Sequence, residues 1–433
     1  MSKLMKRRWH SDDASLLPRR DRASCDYEAY IPDFLVGRPF TLEGGVAADI
    51  ADAERAIAQF DGQAKALVDT EALARLLLRA ESVASSKIEG LEVGGRRLLR
   101  AEAARARGED SHDVTATEVL NNIQAMQWAL GTVGEHDAIT LDGLLEAHQR
   151  LLAGTRIEES GGKIREEQNW IGGSSFNPCT AAFVPPPPEQ VRELLDDLCV
   201  FANSDDLPVV AQAAIAHAQF ETIHPFVDGN GRTGRVLIQL ILRRRHLAHR
   251  VVPPVSLVLA TWSDAYIARL IGTRYLGSPR SATAVKGINR WMDLFATACR
   301  RAIEDATEFE EQVHAVQEVW RQRLGGIRLG SAADLLIRAL PGAPIVTVSG
   351  AADLIGRTFQ ATNQAVARLA EAGILAQVNV GRRNRAFEAD AIIKAFTDLE
   401  RRLASPAGNT QLSRPSLPVP RRVESRTGNR RDT

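Results

Sequence analysis

Twelve consecutive residues, His224-Pro225-Phe226-Val227-Asp228-Gly229-Asn230-Gly231-Arg232-Thr233-Gly234-Arg235, gather an imidazole, a carboxylate, three glycines and two guanidiniums in one short stretch. An imidazole is the side chain whose ordinary pKa lets it act as a base near neutrality. A carboxylate suits a hard divalent cation, and backbone N–H groups bared by glycine suit an anion. Arg232 and Arg235, three apart, share a helix face and can both reach one polyphosphate. These residue types together can handle phosphate.

The elements that must position them flank the stretch on both sides. Val209 to Ile223 is an Ala-rich helical run, and the residue before a proline rarely continues a helix, so it should end near His224. Val236 to Leu247 is helical again. The motif is then a tight loop whose free N–H groups lie at a positive helix N-terminus, a place that binds anions. Residues Gly229 to Gly234 satisfy GxGxxG, but no strand precedes them and no acidic residue follows at the dinucleotide-fold spacing. Nor does a lysine follow the glycines, as a Walker loop requires.

The chain has 433 residues, enough for two or three domains. Lys plus Arg and Asp plus Glu are equal at 54 each, so any basic patch must be local. No stretch is apolar enough to span a bilayer, and the basic start lacks the apolar run of a secretory signal. Cys25, Cys179, Cys199 and Cys299 show no CxxC spacing and read as reduced thiols of a cytoplasmic protein.

Residues 1 to about 45 read as an irregular arm. Helices follow at Ala47 to Gln59 and at Thr70 to Ile88, the latter through Leu73, Leu76, Leu77, Ala80, Val83 and Ala84. Gly90 is placed as the left-handed residue beyond that helix. Ser85 and Glu89, four apart, share a face, and Glu89 sits where the helix C-terminal carbonyls already disfavour a carboxylate. The plain alternative is a solvated surface glutamate. Two more amphipathic helices come at Val114 to Leu130 and Leu141 to Leu152, where His148 reads as a polar-face or capping histidine. Residues 170–188 suggest a β-hairpin stopped by Pro185 to Pro188. Further helices at Ile288 to Ala306 and Phe309 to Leu324 complete a mainly α body, with 311–330 as a connecting helix. Residues 331–400 have the order of a winged helix, with Gln360, Thr362, Asn363, Gln364 and Arg368 on the candidate recognition helix and a basic wing at Gly381 to Arg385. Dimerisation or protein docking is the competing role for that module. Residues 401–433 have the composition of a disordered tail.

At the central motif the sequence resembles the Fic family, whose signature HPFx[D/E]GNGRxxR it matches completely. The resemblance covers roughly residues 25–300 and includes the IGGS and FVPPPP segments; the C-terminal module also resembles one found in many bacterial Fic proteins. It implies a helical Fic-type core over 111–310 with a hairpin flap, preceded by 1–110 with an inhibitory helix at 70–90. It also implies transfer of AMP from ATP to a Ser, Thr or Tyr hydroxyl of a target protein or of the chain itself. By resemblance His224 is the general base, and Asp228 holds Mg²⁺. Gly229, Asn230, Gly231, Arg232, Thr233, Gly234 and Arg235 bind ATP. Gly231 favours nucleotidyl over phosphoryl transfer, because kinase-type relatives resemble a variant with lysine there. Thr180, Ala181, Ala182 and Phe183 form the target-docking flap, and the stretch near Ser256 to Tyr266 lines the base pocket.

Ser85 to Gly90 resembles the family's inhibitory pattern [S/T]xxxE[G/N]. Glu89 is then expected to pair with Arg235 and to border the ATP site, with Ser85 and Gly90 completing the inhibitory motif. The implied partners are ATP, a hydroxyl-bearing protein, DNA at 331–400 and a second copy of the chain, with no membrane. Two alternatives stand beside AMP transfer: a DNA-binding regulator with a Fic sensor core, and removal of AMP with Glu89 orienting a water.

Overall fold

The computed structural model describes residues 1–10, 21–22, 24–64, 70–105, 113–133, 137–380 and 384–403. The expected tail beyond 403, the wing residues 381–383 and residues 106–112 lie outside the described residues.

Residues 1–45 are not an irregular arm. β1 (Lys3–Trp9) and β2 (Cys25–Ile31) pair antiparallel, with Lys3 opposite Ile31 and Trp9 opposite Cys25. Their many charged residues, Lys6, Arg7 and Arg8 running consecutively in β1, hid the strands.

Then come α1 (Gly44–Ala64), α2 (Thr70–Ile88), α3 (Gly95–Arg105), α4 (Val114–Thr132) and α5 (Leu141–Leu152). After an irregular stretch follow α6 (Pro188–Ala202), α7 (Val209–Ile223), α8 (Asn230–Arg244), α9 (Val255–Thr261) and α10 (Ser263–Gly272). α11 (Ala282–Leu324) is one helix of 43 residues where two were expected, because no glycine or proline interrupts residues 288–324. α7 is the central rod: every residue from Val210 to Ile223 except Glu221 is buried, and Trp291 of α11 donates its indole N–H to the Ala214 carbonyl at 2.7 Å. A helix buried on nearly every side belongs in a core, and α1, α6, α8 and α11 surround it.

The C-terminal module runs α12 (Ala332–Ala339), β3 (Ile345–Val346), α13 (Val348–Ile355), α14 (Phe359–Glu371), β4 (Ala376–Val380), β5 (Asn384–Glu388) and α15 (Asp390–Leu403), with sheet order β3-β5-β4. That order is compatible with a winged helix. Two of the five candidate recognition residues are engaged within the chain, however, though only Thr362 is buried. Thr362 is buried and donates to the Thr358 carbonyl, and Arg368 donates to the carbonyls of Leu324 and Gly325, capping α11. Among the described residues no helix is long and apolar enough to cross a membrane.

Candidate active site

α7 ends at His224, whose backbone is left-handed at φ 50° and ψ 61°. A non-glycine residue there costs about 1–2 kcal/mol, so its surroundings must hold it. Its N–H donates to the Phe220 carbonyl at 2.9 Å, and its carbonyl accepts from Arg165 Nε at 2.9 Å and Asn169 Nδ2 at 3.1 Å. Arg165 is itself buried and also reaches the carbonyls of Pro186, Ile223 and Glu167. Burial, and then the Arg165 charge, push the His224 imidazole down to about 4, so the ring is neutral at physiological pH.

The loop that follows is closed by Asn230, whose side chain accepts from the Phe226 N–H at 2.8 Å and donates to the Phe226 carbonyl at 2.9 Å. Gly229 needs its hydrogen side chain twice over: its φ is +77°, and a Cβ would lie 2.9 Å from Leu151. One Asp228 oxygen accepts from the Gly229 N–H at 2.6 Å and the other lies 3.4 Å from Arg232; the carboxylate is 55% exposed.

Arg232 is 2% exposed, yet its Nε and Nη1 have no hydrogen-bond partner. A buried guanidinium left half-satisfied at a helix N-terminus is a site for an anion. Arg235, 1% exposed, is by contrast fully engaged: Nε donates to Ser85 Oγ at 2.8 Å, and Nη2 donates to the Ser85 carbonyl and to Glu89 Oε1, each at 2.7 Å. Burial opposes the Glu89 charge, but Arg235, then Arg232 and His224, hold its pKa below the usual value. Glu89 also rests on the motif backbone. A Cβ on Gly231 would lie 2.0 Å from Glu89 Oε1. A carboxylate oxygen from the residue just beyond α2 thus lies against the first turn of α8, at the N-terminus that favours anions.

With this geometry in hand, residues 138–242 match the model of the Fic/DOC family and residues 47–131 that of its N-terminal region. These two stretches therefore carry a Fic/DOC domain and that family's N-terminal region. It is 37% identical over 135 residues to protein adenylyltransferase fic-1 of Caenorhabditis elegans, a match covering 30% of this chain and 24% of that protein. Over 139 residues it is 34% identical to protein adenylyltransferase Fic of Drosophila virilis, covering 31% of this chain and 27% of that one. The match therefore spans about a quarter of these relatives' length. In fold, the chain is similar to a Fic family protein from Desulfovibrio desulfuricans G20, with a TM-score of 0.50, 21% identity and coverage of 81% of this chain and 97% of that one.

Within the Fic core, two residues hold the motif: one that the sequence suggested was a polar-face or capping histidine, which its burial corrects, and one that the sequence did not single out. His148 of α5 is fully buried and stacks on Phe226 with ring centroids 3.7 Å apart. Its Nδ1 accepts from the Gly162 N–H at 3.0 Å, so its Nε2 carries the proton donated to the Asp228 carbonyl at 2.9 Å. Burial pushes this ring down to about 4, which keeps that neutral tautomer. Arg165 is the other. An arginine near the turn-rich segment gives no spacing signal, since its acceptors are carbonyls distant in sequence.

Other expected site residues are placed differently. Gly234 faces α7: a Cβ there would lie 2.8 Å from Glu221 and 3.1 Å from His217, so this glycine lets two helices approach. Thr233 is buried beside it. Ser256 is buried and donates its N–H and hydroxyl to Glu81 of α2 at 2.7 and 2.6 Å, while Tyr266 is buried against His217 with 2.7 Å between Oη and Nε2. Neither lines an open base pocket.

The flap is less regular than a hairpin. One bridge joins Ile171 to Phe183, and Gly172 and Gly173 turn with positive φ. Thr180 ends a short 3-10 turn, and Ala181, Ala182, Phe183 and Arg274 border an open groove of about 440 Å³ beside β2. A disulfide between Cys25 and Cys179 ties this turn to β2, which corrects the expectation that all four thiols are reduced; Cys199 and Cys299 are free. The two cysteines lie 154 residues apart, and the unrecognised β1–β2 pair is what brings them together. Cysteine usage therefore no longer points to a reducing compartment.

Proposed function

We propose that this protein transfers AMP from ATP to a hydroxyl of a target protein or of itself, and that Glu89 restrains the reaction. The observation that carries this reading is Arg232, a buried guanidinium with two unpartnered donors beside the N-terminus of α8 and the neutral imidazole of His224. ATP fits that combination. The triphosphate supplies acceptors for Arg232 and for the N–H groups of the Gly229-Asn230-Gly231 turn, and His224 lies ready to take the proton of an incoming Ser, Thr or Tyr hydroxyl. The hydroxyl oxygen bonds to the α phosphorus, the α–β bridging bond breaks, and pyrophosphate departs.

Among the described residues no group of three or more His, Cys, Asp or Glu side chains is arranged to hold a metal. The exposed Asp228 carboxylate suits Mg²⁺ nonetheless, because that ion is commonly held by one or two carboxylates and the substrate's phosphates. Bound there, Mg²⁺ would neutralise phosphate charge. The groove beside Ala181 to Phe183 is the proposed seat of the target segment.

The test is incorporation of radioactive α-labelled ATP into the protein itself or a lysate target. Glu89→Gly should label, and Glu89→Gly combined with His224→Ala should not; labelling by the double variant would overturn the base assignment. A second reading rests on the Glu89 carboxylate, which is 35% exposed and close enough to orient a water for the reverse removal of AMP. AMP released from a pre-modified target by the unaltered chain, and lost in Glu89→Gly, would support it.

A further inference from the structure

The helix that carries Ser85 and leads into Glu89 is shared between two hydrophobic cores. Leu73 and Leu77 of α2 belong to the catalytic core around α7. Leu76, Ala80 and Ala84, at intervals of four on the adjoining stripe, belong instead to the core of the C-terminal module, with Phe309 of α11, Leu336 of α12 and Phe396 of α15. The module approaches so closely that a Cβ on Gly342 would lie 3.0 Å from Ala72 Cα, backbone against backbone.

The next helix is gripped by the same module. The ring of Phe396 lies 3.9 Å from where a Cβ on Gly95 would stand, at the start of α3. Glu388, only 4% exposed, lies 3.7 Å from Arg96 and 3.6 Å from Arg100, and Arg96 also pairs with Asp390 at the start of α15. Glu388 Oε1 has no hydrogen-bond partner, so those two charges are what compensates a buried carboxylate. Glu89 stands between two helices that are both fixed to the module.

We propose that the C-terminal module is a clamp on the α2–α3 pair, and that its docking sets how firmly Glu89 sits on Arg235 and Gly231. This rests on the reading of Glu89 as the restraint on AMP transfer. A ligand that holds the module in place strengthens the restraint, and one that lifts it off α2 releases the site. The module then regulates through its inner face, where Gly342, Glu388 and Phe396 meet α2 and α3. Coupling of this kind needs a contiguous packed element biased by both ends, which α2 is.

The test uses the full chain with two changes: Phe396→Ala, which opens the apolar contact, and Arg96→Ala/Arg100→Ala, which leaves that contact intact and removes the partners of Glu388. Hydrogen exchange of residues 76–89 is read together with self-labelling by α-labelled ATP. Exchange over 76–89 should quicken by about tenfold or more in both variants, since local opening follows packing. Labelling should rise several-fold, and adding either change to Glu89→Gly should give no further rise. Unchanged exchange over 76–89 while residues 390–399 loosen overturns the clamp, as does a labelling gain that persists undiminished in the Glu89→Gly background. If exchange quickens but Glu89→Gly itself labels no better than the unaltered chain, the clamp stands and the inhibitory reading of Glu89 falls.

Discussion

Replacing Glu89 by glycine removes the carboxylate from Arg235 Nη2 and from the first turn of α8. A hydrogen bond to a charged group contributes roughly 1.5–3 kcal/mol. Glu89 is 35% exposed, so solvent screening keeps its pairing in the lower part of that range, about 1.5–2.5 kcal/mol. At about 1.4 kcal/mol per factor of ten, the population free to accept the triphosphate rises roughly 10- to 70-fold. The gain should not be larger, because Ser85 still holds Arg235 through two bonds after Glu89 is gone. The assay is the initial rate of AMP incorporation at ATP well below saturation, with Glu89→Gln as a control that removes the charge but keeps the size. Glu89→Gln should fall between the unaltered chain and Glu89→Gly. Equal rates for all three, with ATP binding unchanged by calorimetry, would refute the restraint.

Other predictions follow from the same geometry. In a Glu89→Gly background, where the crowding from Glu89 is gone, Gly231→Ala should still lose AMP transfer by about 100-fold, because the methyl group occupies the proposed anion hole; steady-state rates on the double variant check it. His148→Ala removes a buried ring stack and two hydrogen bonds. It should lower stability by about 2–4 kcal/mol in denaturant titrations and lower AMP transfer in the Glu89→Gly background at temperatures where the protein stays folded. Glu81 is fully buried, and burial lifts its carboxyl from 4.5 to about 7. The folded state therefore binds a proton that the unfolded chain gives up, and this stabilisation, present below pH 4.5, is lost as pH rises through 7. Glu81→Gln should gain on the unaltered chain by roughly 2–3 kcal/mol between pH 5 and pH 8, read as the change in unfolding midpoints; a constant difference would show that Glu81 does not titrate in this way.

What the sequence made legible was local. The motif's helix, loop and helix follow from an Ala-rich run, a proline and two glycines, each of which acts within a few residues. Thr70 to Ile88 was readable for the same reason, from apolar spacing alone. What escaped depended on partners distant in the chain. β1 carries three consecutive charges at Lys6, Arg7 and Arg8, and its pairing with β2, with the disulfide it permits, becomes visible only when β1, β2 and Cys179 come together. His148 looked like a surface or capping histidine because nothing in α5 announces that Phe226 and Gly162 will enclose it. The two-helix reading of 288–324 failed for lack of a breaker. The helix contact that Gly234 serves was not legible, because a glycine required for helix contact and one required for phosphate contact look alike in a motif.

Glu89 shows how a local violation can carry information. One residue past the C-terminal end of α2, its carboxylate stands near the negative end of that helix, a placement that costs roughly 0.3–1 kcal/mol. In three dimensions that end of α2 meets the N-terminal end of α8, and the same charge lies against Gly231 and Arg235. The unfavourable field of one helix is thereby offset by the favourable field of another and by a buried guanidinium whose own cost of burial is relieved in the pairing. Neither partner is stable alone in its place. Nucleotide must supply an anion to Arg235 when it displaces Glu89, and an anion too small to reach both Arg232 and Arg235 leaves the pair closed. Triphosphate should therefore compete with Glu89 where AMP does not, and protection of residues 85–90 from hydrogen exchange should fall with ATP and stay constant with AMP. Equal loss with both nucleotides would mean that Glu89 yields to any ligand in the cleft and that Arg235 is not the contested group.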